Sequence, residues 1–208
     1  MGVKKTESKI PIYKINSKEK LLNYYANWTD KDQYNQDMID WNYQAPINSS
    51  QLLNKYISNK NIKILDAGCG SGLVGKELKN LGYNDIIGVD FSKEMLKLIP
   101  DNIYNKLDLI DLNNPLEYQT NSFDCIICVG TFTFGHVKAH TLDEFVRITN
   151  KGGLICFTIN EGVFEDYGFN RKIEELSHKR AWKILEFSKS SYIVNKNIKA
   201  WLYLARKL

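Results

Sequence analysis

The stretch 63–72, Lys-Ile-Leu-Asp-Ala-Gly-Cys-Gly-Ser-Gly, is the sequence feature that most constrains the fold. In it a short apolar run ends in the carboxylate of Asp66, enters a glycine-rich turn and continues into residues 73–81, which have helical spacing. Glycines permit positive φ and let the backbone approach a ligand closely, so the pattern predicts a nucleotide-binding turn at the carboxyl edge of a sheet. A second apolar run, 86–89, ends in Asp90, whose carboxylate suits the hydroxyl groups of a ribose.

Short apolar runs alternate with amphipathic segments from residue 62 onward, and seven of the runs are predicted strands. They are 62–65, 86–89, 106–110, 124–129, 154–159, 182–187 and 198–205. The polar link between the last two runs, 188–197, is shorter than a parallel crossover of a dozen or more residues, so we expect a hairpin there. The predicted fold is therefore α/β: a Rossmann-like, doubly wound, mostly parallel seven-stranded sheet with a C-terminal antiparallel strand and an N-terminal helical lid.

The 208 residues suffice for one compact domain with an additional N-terminal segment. Residues 1–20 are polar and lysine-rich and are predicted to form a flexible leader. Residues 21–57 are rich in Trp and Tyr and predict two or three short helices, broken before Pro46, that form the lid segment. Residues 58–208 are the predicted core.

Composition excludes several classes of protein. The chain has 28 Lys+Arg and 24 Asp+Glu, and this mild, evenly spread excess gives no nucleic-acid signal. No apolar run reaches the roughly 18 residues of a membrane span, and no secretory signal is visible, so we predict a cytoplasmic protein. A small-molecule substrate and a monomer or homodimer are expected. The stretch 1–6 also meets the loose N-myristoylation pattern at Gly2.

Two of the four cysteines, Cys125 and Cys128, form a CxxC motif that could suggest a metal site. The motif lies in a strand-like run, and residues three apart on a strand point to opposite faces. We therefore predict buried, apolar thiols and no metal site.

Two cofactor classes compete for the glycine turn. The pattern Gly70-x-Gly72-x-x-Gly75 meets the dinucleotide fingerprint, with Asp90 twenty residues after Gly70. Asp66 discriminates between them, because a carboxylate before the turn repels a pyrophosphate but attracts the ammonium and sulfonium charges of S-adenosylmethionine. The sequence favours S-adenosylmethionine. A non-catalytic S-adenosylmethionine-binding regulatory or partner protein and an NAD-dependent oxidoreductase are the alternatives.

The stretch 62–160 resembles the class I S-adenosylmethionine-dependent methyltransferases, whose first motif is a strand ending in Asp or Glu followed by GxGxG. The resemblance implies methyl transfer to a small-molecule or protein acceptor, with S-adenosylhomocysteine as product. It places Asp66 near the methionine amino group, glycines under the amino-acid moiety and Asp90 on the ribose. It also implies an acidic residue at the adenine amino group, for which Asp111 ranks above Asp108. The implied cofactor-binding residues are Asp66, Ala67, Gly68, Gly70, Asp90, Phe91, Met95, Asp111, Leu112 and Val129.

A narrower resemblance, to the Williams-Beuren-region methyltransferase-like family, covers most of the chain. The segments that carry it are Gly72-Leu-Val-Gly75, 128–137, Leu142-Asp-Glu-Phe, Lys151-Gly-Gly-Leu154, Tyr25-Ala-Asn-Trp28, Tyr34-Asn-Gln-Asp37 and Tyr43-Gln-Ala-Pro46. The chain departs from the family in a longer Trp-to-Tyr spacing and in having no Asp after Tyr25. Tyr25, Trp28 and Tyr34 are predicted to form a lid over the cofactor and a stacking wall for an apolar or cationic substrate, and the alternative is a helix that packs its aromatic side chains on the sheet.

Methyl transfer from a sulfonium needs alignment and exclusion of water, and a base only where the acceptor must lose a proton. His136, after the fourth strand, is the predicted substrate-proximal or base residue, because its ordinary pKa lies near operating pH. The sequence shows no partner for it, and a loop histidine without catalytic duty is the alternative. His140 and Glu161 are weaker candidates, and His178 is expected to be solvated.

Overall fold

A computed structural model describes Ile12, Ile15 and residues 17–208. The modification predicted at Gly2 lies outside these residues. The helices are α1 Lys18–Trp28, α2 Gln33–Asp40, α3 Ala45–Lys55, α4 Leu73–Asn80, α5 Lys93–Leu96, α6 Thr141–Ile148 and α7 Phe169–His178. The strands are β1 Lys63–Ala67, β2 Asp85–Asp90, β3 Lys106–Leu109, β4 Phe123–Phe132, β5 Thr149–Asn160, β6 Trp182–Ile193 and β7 Ile198–Lys207. Among the described helices, none is long and apolar enough to cross a membrane.

The seven strands form one sheet in the order β3-β2-β1-β4-β5-β7-β6. The first five strands are parallel, and β7 lies between β5 and β6, antiparallel to both. The predicted Rossmann-like fold and its C-terminal antiparallel strand are confirmed. The polar link was predicted too long, because β6 continues to Ile193 and only residues 194–197 turn the chain.

Both faces of the sheet are covered, as the apolar strands require. On one face Phe157 and Cys128 belong to a core that α6 and α7 complete. On the other face Cys125 and Ile127 belong to a core with residues of α3 and α4. The two cysteines of the CxxC motif therefore point to opposite faces, as predicted, and burial raises the pKa of Cys125 to about 12.

The N-terminal segment divides into two parts with different packing. Helix α3 carries Pro46 in its first turn, where proline is favoured, and it buries Ser49, Ser50 and Leu53 against the sheet. By contrast, α1 has one buried residue, Leu21, and α2 has one, Met38. Helices α1 and α2 are thus the part of the segment that covers the carboxyl edge of the sheet, and α1 begins inside the range that the sequence assigned to the leader.

Candidate functional site

A cleft opens at the carboxyl ends of β1, β2 and β4, beneath α1 and α2. The cleft is partly open to solvent. We call its sheet side the core wall: Gly68, Cys69, Gly70, Ser71, Asp90, Phe91, Met95, Asp111, Leu112, Val129, Gly130, Thr131 and His136. Its other side is the lid wall: Lys18, Leu21, Tyr25, Trp28, Tyr34, Met38 and Trp41. The cleft thus lies between a wall of sheet and turn residues and a largely aromatic wall of helix residues.

Most of the residues that the sequence singled out meet in this cleft. All three predicted lid residues, the predicted base His136 and eight of the ten implied cofactor residues line it. The two exceptions, Asp66 and Ala67, are fully buried behind the glycine turn. Asp111 lines the cleft, whereas its competitor Asp108 does not.

The glycine turn is shaped by backbone contacts that exclude side chains. Gly68 has φ +79°, and a Cβ there would lie 2.1 Å from Oγ1 of Thr131. The amides of Gly68 and Cys69 both donate to the carbonyl of Val89, at 2.8 and 2.9 Å, which ties the turn to β2. The backbone at the turn can therefore approach a ligand without an intervening side chain.

Asp90 is a buried carboxylate held by backbone amides. Its Oδ2 accepts from the amide of Gly70 at 2.9 Å, and its Oδ1 accepts from the amide of Ser92 at 2.8 Å. Burial raises its pKa to about 6, although both hydrogen bonds act in the opposite direction. Each carboxylate oxygen has a further lone pair, so Asp90 can accept two more hydrogen bonds, as ribose hydroxyls would offer.

Asp66 lies deeper, behind the turn, in a site made with Tyr104. The hydroxyl of Tyr104 donates to Oδ2 of Asp66 at 2.6 Å and accepts from the amide of Gly75 at 3.2 Å. Burial, with a smaller contribution from the charge of Asp90, raises the pKa of Asp66 to about 7, although the hydrogen bond from Tyr104 acts in the opposite direction. Oδ1 of Asp66 is buried without a hydrogen-bond partner among the described residues. A carboxylate in this state attracts a cation bound nearby.

Tyr104, which lies behind the core wall and contacts Asp66, was not identified from the sequence. Gly75 is the sequence feature that could have indicated a close neighbour, since a Cβ there would lie 2.3 Å from the Tyr104 hydroxyl. The third glycine of the dinucleotide fingerprint is thus explained by the close approach of a tyrosine that supports Asp66.

Three polar contacts join the lid to the core wall. Nζ of Lys18 lies 2.6 Å from Oδ2 of Asp111. Oγ of Ser71 donates to Oδ1 of Asn35 at 2.6 Å, and the hydroxyl of Tyr25 lies 2.8 Å from Nε2 of His136. The first two contacts were not predicted, because Lys18 belongs to no motif and Asn35 was quoted only as part of the segment 34–37, with no role of its own.

An aromatic cluster around Trp28 holds α1 and α2 together. Its indole nitrogen donates to Oδ2 of Asp37 at 2.6 Å. Its ring meets Tyr34 edge-on at a centroid distance of 4.9 Å and Trp41 at 5.6 Å. Tyr25 crosses from this cluster to Phe91 on the core wall, at 5.9 Å. The predicted lid residues thus pack on one another and also face the cleft.

His136 is partly buried and neutral, and both ring nitrogens have partners. Its Nδ1 lies 2.6 Å from the carbonyl oxygen of Phe134, which can only accept, so Nδ1 carries the proton. Nε2 therefore accepts the hydrogen bond from Tyr25. Burial lowers the pKa of His136 to about 4. The histidine for which the sequence showed no partner is paired with the lid.

The weaker candidates lie elsewhere. Nε2 of His140 lies 3.1 Å from the carbonyl oxygen of Asn113, outside the cleft lining. Glu161 pairs with Lys189 at 2.7 Å in a separate, shallow depression, and His178 ends α7. Within the described part of the chain, no group of three His, Cys, Asp or Glu residues could hold a metal ion.

Comparison with known proteins adds an independent finding. A family model described as a methyltransferase domain matches residues 65–157. Methyltransferase-like protein 27 of Homo sapiens is 33% identical over 141 residues, which are 66% of this chain and 56% of that protein. The chain spans about half the length of the curated relatives it matches.

Solved structures match the fold over most of the chain. A putative methyltransferase of Haloferax volcanii, solved in complex with the Trm112 methyltransferase activator, has a TM-score of 0.65 at 15% identity and covers 88% of this chain and 97% of that one. An S-adenosylmethionine-dependent methyltransferase of Mesorhizobium loti has a TM-score of 0.59 at 14% identity and covers 78% of this chain and 100% of that one. At these identities the likeness shows the fold alone.

Proposed function

We propose that this chain, which belongs to the class I S-adenosylmethionine-dependent methyltransferases, transfers the methyl group of that cofactor to a small-molecule acceptor. The observation that carries the proposal is the cleft itself. In it the glycine turn and the buried carboxylate of Asp90 lie opposite an aromatic lid.

The core wall fits the cofactor in three respects. The turn at Gly68 is a cradle that a Cβ would fill. Asp90 has lone pairs for two hydroxyls, and the unpartnered Oδ1 of Asp66 suits a nearby positive charge. When bound, S-adenosylmethionine supplies a methyl group that its sulfonium already activates. Asp66 acts from behind the turn, since it does not line the cleft.

The adenine end of the site is proposed to lie among Phe91, Met95, Asp111 and Leu112, which line the cleft beyond Asp90. Asp111 accepts there from Lys18 of the lid, and this hydrogen bond and charge hold its pKa below the ordinary value despite its partial burial. An ionised carboxylate at this place can accept from an amino group of a base.

The lid wall is proposed to align the acceptor and exclude water. Because the activated methyl needs little further chemistry, orientation in a closed cleft is the main contribution of the protein. The rings of Tyr25, Trp28, Tyr34 and Trp41 give this wall a largely aromatic surface, which favours an acceptor with a planar or apolar body.

The test is turnover. The protein is incubated with S-adenosylmethionine, with and without a small-molecule metabolite extract, and S-adenosylhomocysteine is measured. We expect product only with the extract, and its loss in Asp90→Ala but not in Asp85→Ala, which changes the exposed far end of the same strand. Persistent cofactor binding without turnover would instead favour a non-catalytic binding protein.

A further inference from the structure

We propose that Tyr25 and His136 act together as the proton-accepting pair of the methyl transfer, and that the acceptor presents a hydroxyl or amino group rather than a carboxylate. This inference rests on the proposed function and adds the acceptor chemistry to it. Both residues line the cleft, and one comes from each wall.

The direction of the hydrogen bonds selects the acceptor. The carbonyl of Phe134 fixes the proton of His136 on Nδ1, at 2.6 Å, so Nε2 accepts from the hydroxyl of Tyr25 at 2.8 Å. Because the Tyr25 hydroxyl donates its proton to His136, its oxygen can take part in a further hydrogen bond only as an acceptor. An O–H or N–H group can donate to that oxygen, whereas an ionised carboxylate, which only accepts, would meet it with repulsion.

The pair joins the lid to the core wall at a second place beside the Lys18–Asp111 contact. Tyr25 and Lys18 lie about two turns apart on α1, so their contacts come from the same side of the helix. Lys18 pairs with Asp111, and the Nδ2 of Asn113 donates both to Oδ1 of Asp111 and to the backbone carbonyl of His136, at 3.2 and 3.1 Å. Asn113 therefore connects Asp111 and His136, the two residues of the core wall that α1 contacts through Lys18 and Tyr25.

The step balances in atoms and charge. The acceptor lone pair forms the bond to the methyl carbon, and the electrons of the breaking carbon–sulfur bond go to sulfur. The proton of the acceptor passes to the oxygen of Tyr25, whose own proton passes to Nε2 of His136. One positive charge thereby moves from the sulfonium to the imidazolium. Burial lowers the pKa of His136, so the ring is neutral beside a cationic cofactor and returns the proton to water when the lid opens.

The experiment uses four acceptors with one planar frame: phenol, benzyl alcohol, aniline and benzoate. Wild type, Tyr25→Phe, His136→Asn and Tyr24→Phe are compared for kcat and KM, and for S-adenosylhomocysteine affinity by calorimetry. Tyr24 is the matched control, because it neighbours Tyr25 on α1 but does not line the cleft.

We expect methylation of a hydroxyl or amino probe and none of benzoate. Tyr25→Phe and His136→Asn should each lower kcat by about 10²–10⁴-fold, the usual contribution of proton transfer, while KM and S-adenosylhomocysteine affinity stay within about threefold. Tyr24→Phe should resemble wild type. In nitrogen-15 NMR, His136 should show the Nδ1-protonated tautomer.

Four results would overturn the inference: preferred methylation of benzoate, an unchanged kcat in Tyr25→Phe, an Nε2-protonated His136, or turnover with the metabolite extract but with no hydroxyl or amino probe. Failure of the wild type to bind S-adenosylmethionine, or binding without turnover on both the extract and the probes, would overturn the proposed function instead, so the two failures are distinguishable.

Discussion

The core wall and the lid wall of the cleft are held by different kinds of contact. On the core wall, the backbone amides of Gly70 and Ser92 hold Asp90, and both Asp90 and Ser92 are buried. On the lid wall, side chains of α1 and α2 reach the sheet through partly exposed hydrogen bonds and aromatic edges. The core wall is therefore preorganised by the fold, whereas the position of the lid wall depends on side-chain contacts between α1, α2 and the sheet edge.

The largest expected effect comes from filling the cradle of the core wall. Gly68→Ala forces a Cβ against Thr131 at a positive φ and should lower the free energy of unfolding by about 2–5 kcal/mol, with loss of S-adenosylhomocysteine binding. The control is Gly152→Ala, which has φ +76° but no atom within 4 Å of the added Cβ, and which should cost about 1–2 kcal/mol. Urea unfolding and calorimetry measure both quantities. Equal losses of unfolding free energy in the two variants would show that the close contact between Gly68 and Thr131 does not add to the cost of the substitution.

Removal of the Tyr104 hydroxyl tests the interior of the core wall. Tyr104→Phe leaves Oδ2 of Asp66 and the amide of Gly75 without their buried partner, which should cost about 1–3 kcal/mol of unfolding free energy. It should also raise the pKa of Asp66 and weaken S-adenosylmethionine binding at pH 7. Tyr118→Phe removes a comparable bond, to Asp108 at 3.1 Å, far from the cleft, and should leave binding unchanged. Weakened binding in both variants would contradict the role given to Tyr104.

The raised pKa of Asp66 predicts a pH effect with a definite sign. The folded state holds the Asp66 proton up to about pH 7 but the unfolded state releases it near pH 4, so this group lowers the unfolding free energy as pH rises across that window. The lowered pKa of His136 acts oppositely between about pH 4 and 6.5, which makes the wild-type profile alone ambiguous.

The comparison with Asp66→Asn isolates the carboxylate. Relative to wild type, this variant should gain unfolding free energy as pH rises from 5 to 8, measured by urea titration without ligand. A constant difference over that range would mean that Asp66 is ionised throughout. With ligand, the wild type should bind S-adenosylmethionine more tightly as pH rises through 7, and the variant should not.

The smallest expected effect is on the lid wall. Lys18→Met removes the ion pair with Asp111, and Lys97→Met removes a pair with Glu94 at 2.7 Å; the two lysine side chains are 59% and 58% exposed. Both should change the unfolding free energy by less than about 1 kcal/mol. Only Lys18→Met should speed S-adenosylhomocysteine association, by about two- to fivefold, because the lid then opens more easily. Stopped-flow fluorescence of Trp28 follows this step, and an identical rate in both variants would remove Lys18 from the lid contacts.

Much of the core wall could be predicted from the sequence because its determinants are local. One continuous stretch, 63–72, encodes strand, carboxylate and turn, and Asp90 follows at the end of the next strand. The faces of Cys125 and Cys128 followed from strand alternation alone. The partner of Asp66 was missed because Tyr104 lies 38 residues away and belongs to no motif.

The lid wall was predicted only as an aromatic segment. Its position on the sheet depends on contacts between residues far apart in the sequence: Lys18 and Asp111 are separated by 93 residues, and Tyr25 and His136 by 111. Such pairs depend on how the helices pack against the folded sheet, and no residue spacing in the sequence predicts them. For the same reason the sequence did not show that α3 belongs to the sheet packing while α1 and α2 cover the cleft.

A calorimetric titration of the wild type with S-adenosylmethionine, and separately with NAD, tests most directly that the core wall is built for a sulfonium cofactor. We expect saturable binding of S-adenosylmethionine, its loss in Asp90→Ala and no binding of NAD, because a buried acid behind the turn disfavours a pyrophosphate. Binding of NAD without binding of S-adenosylmethionine would contradict the account of Asp66 and of the cleft.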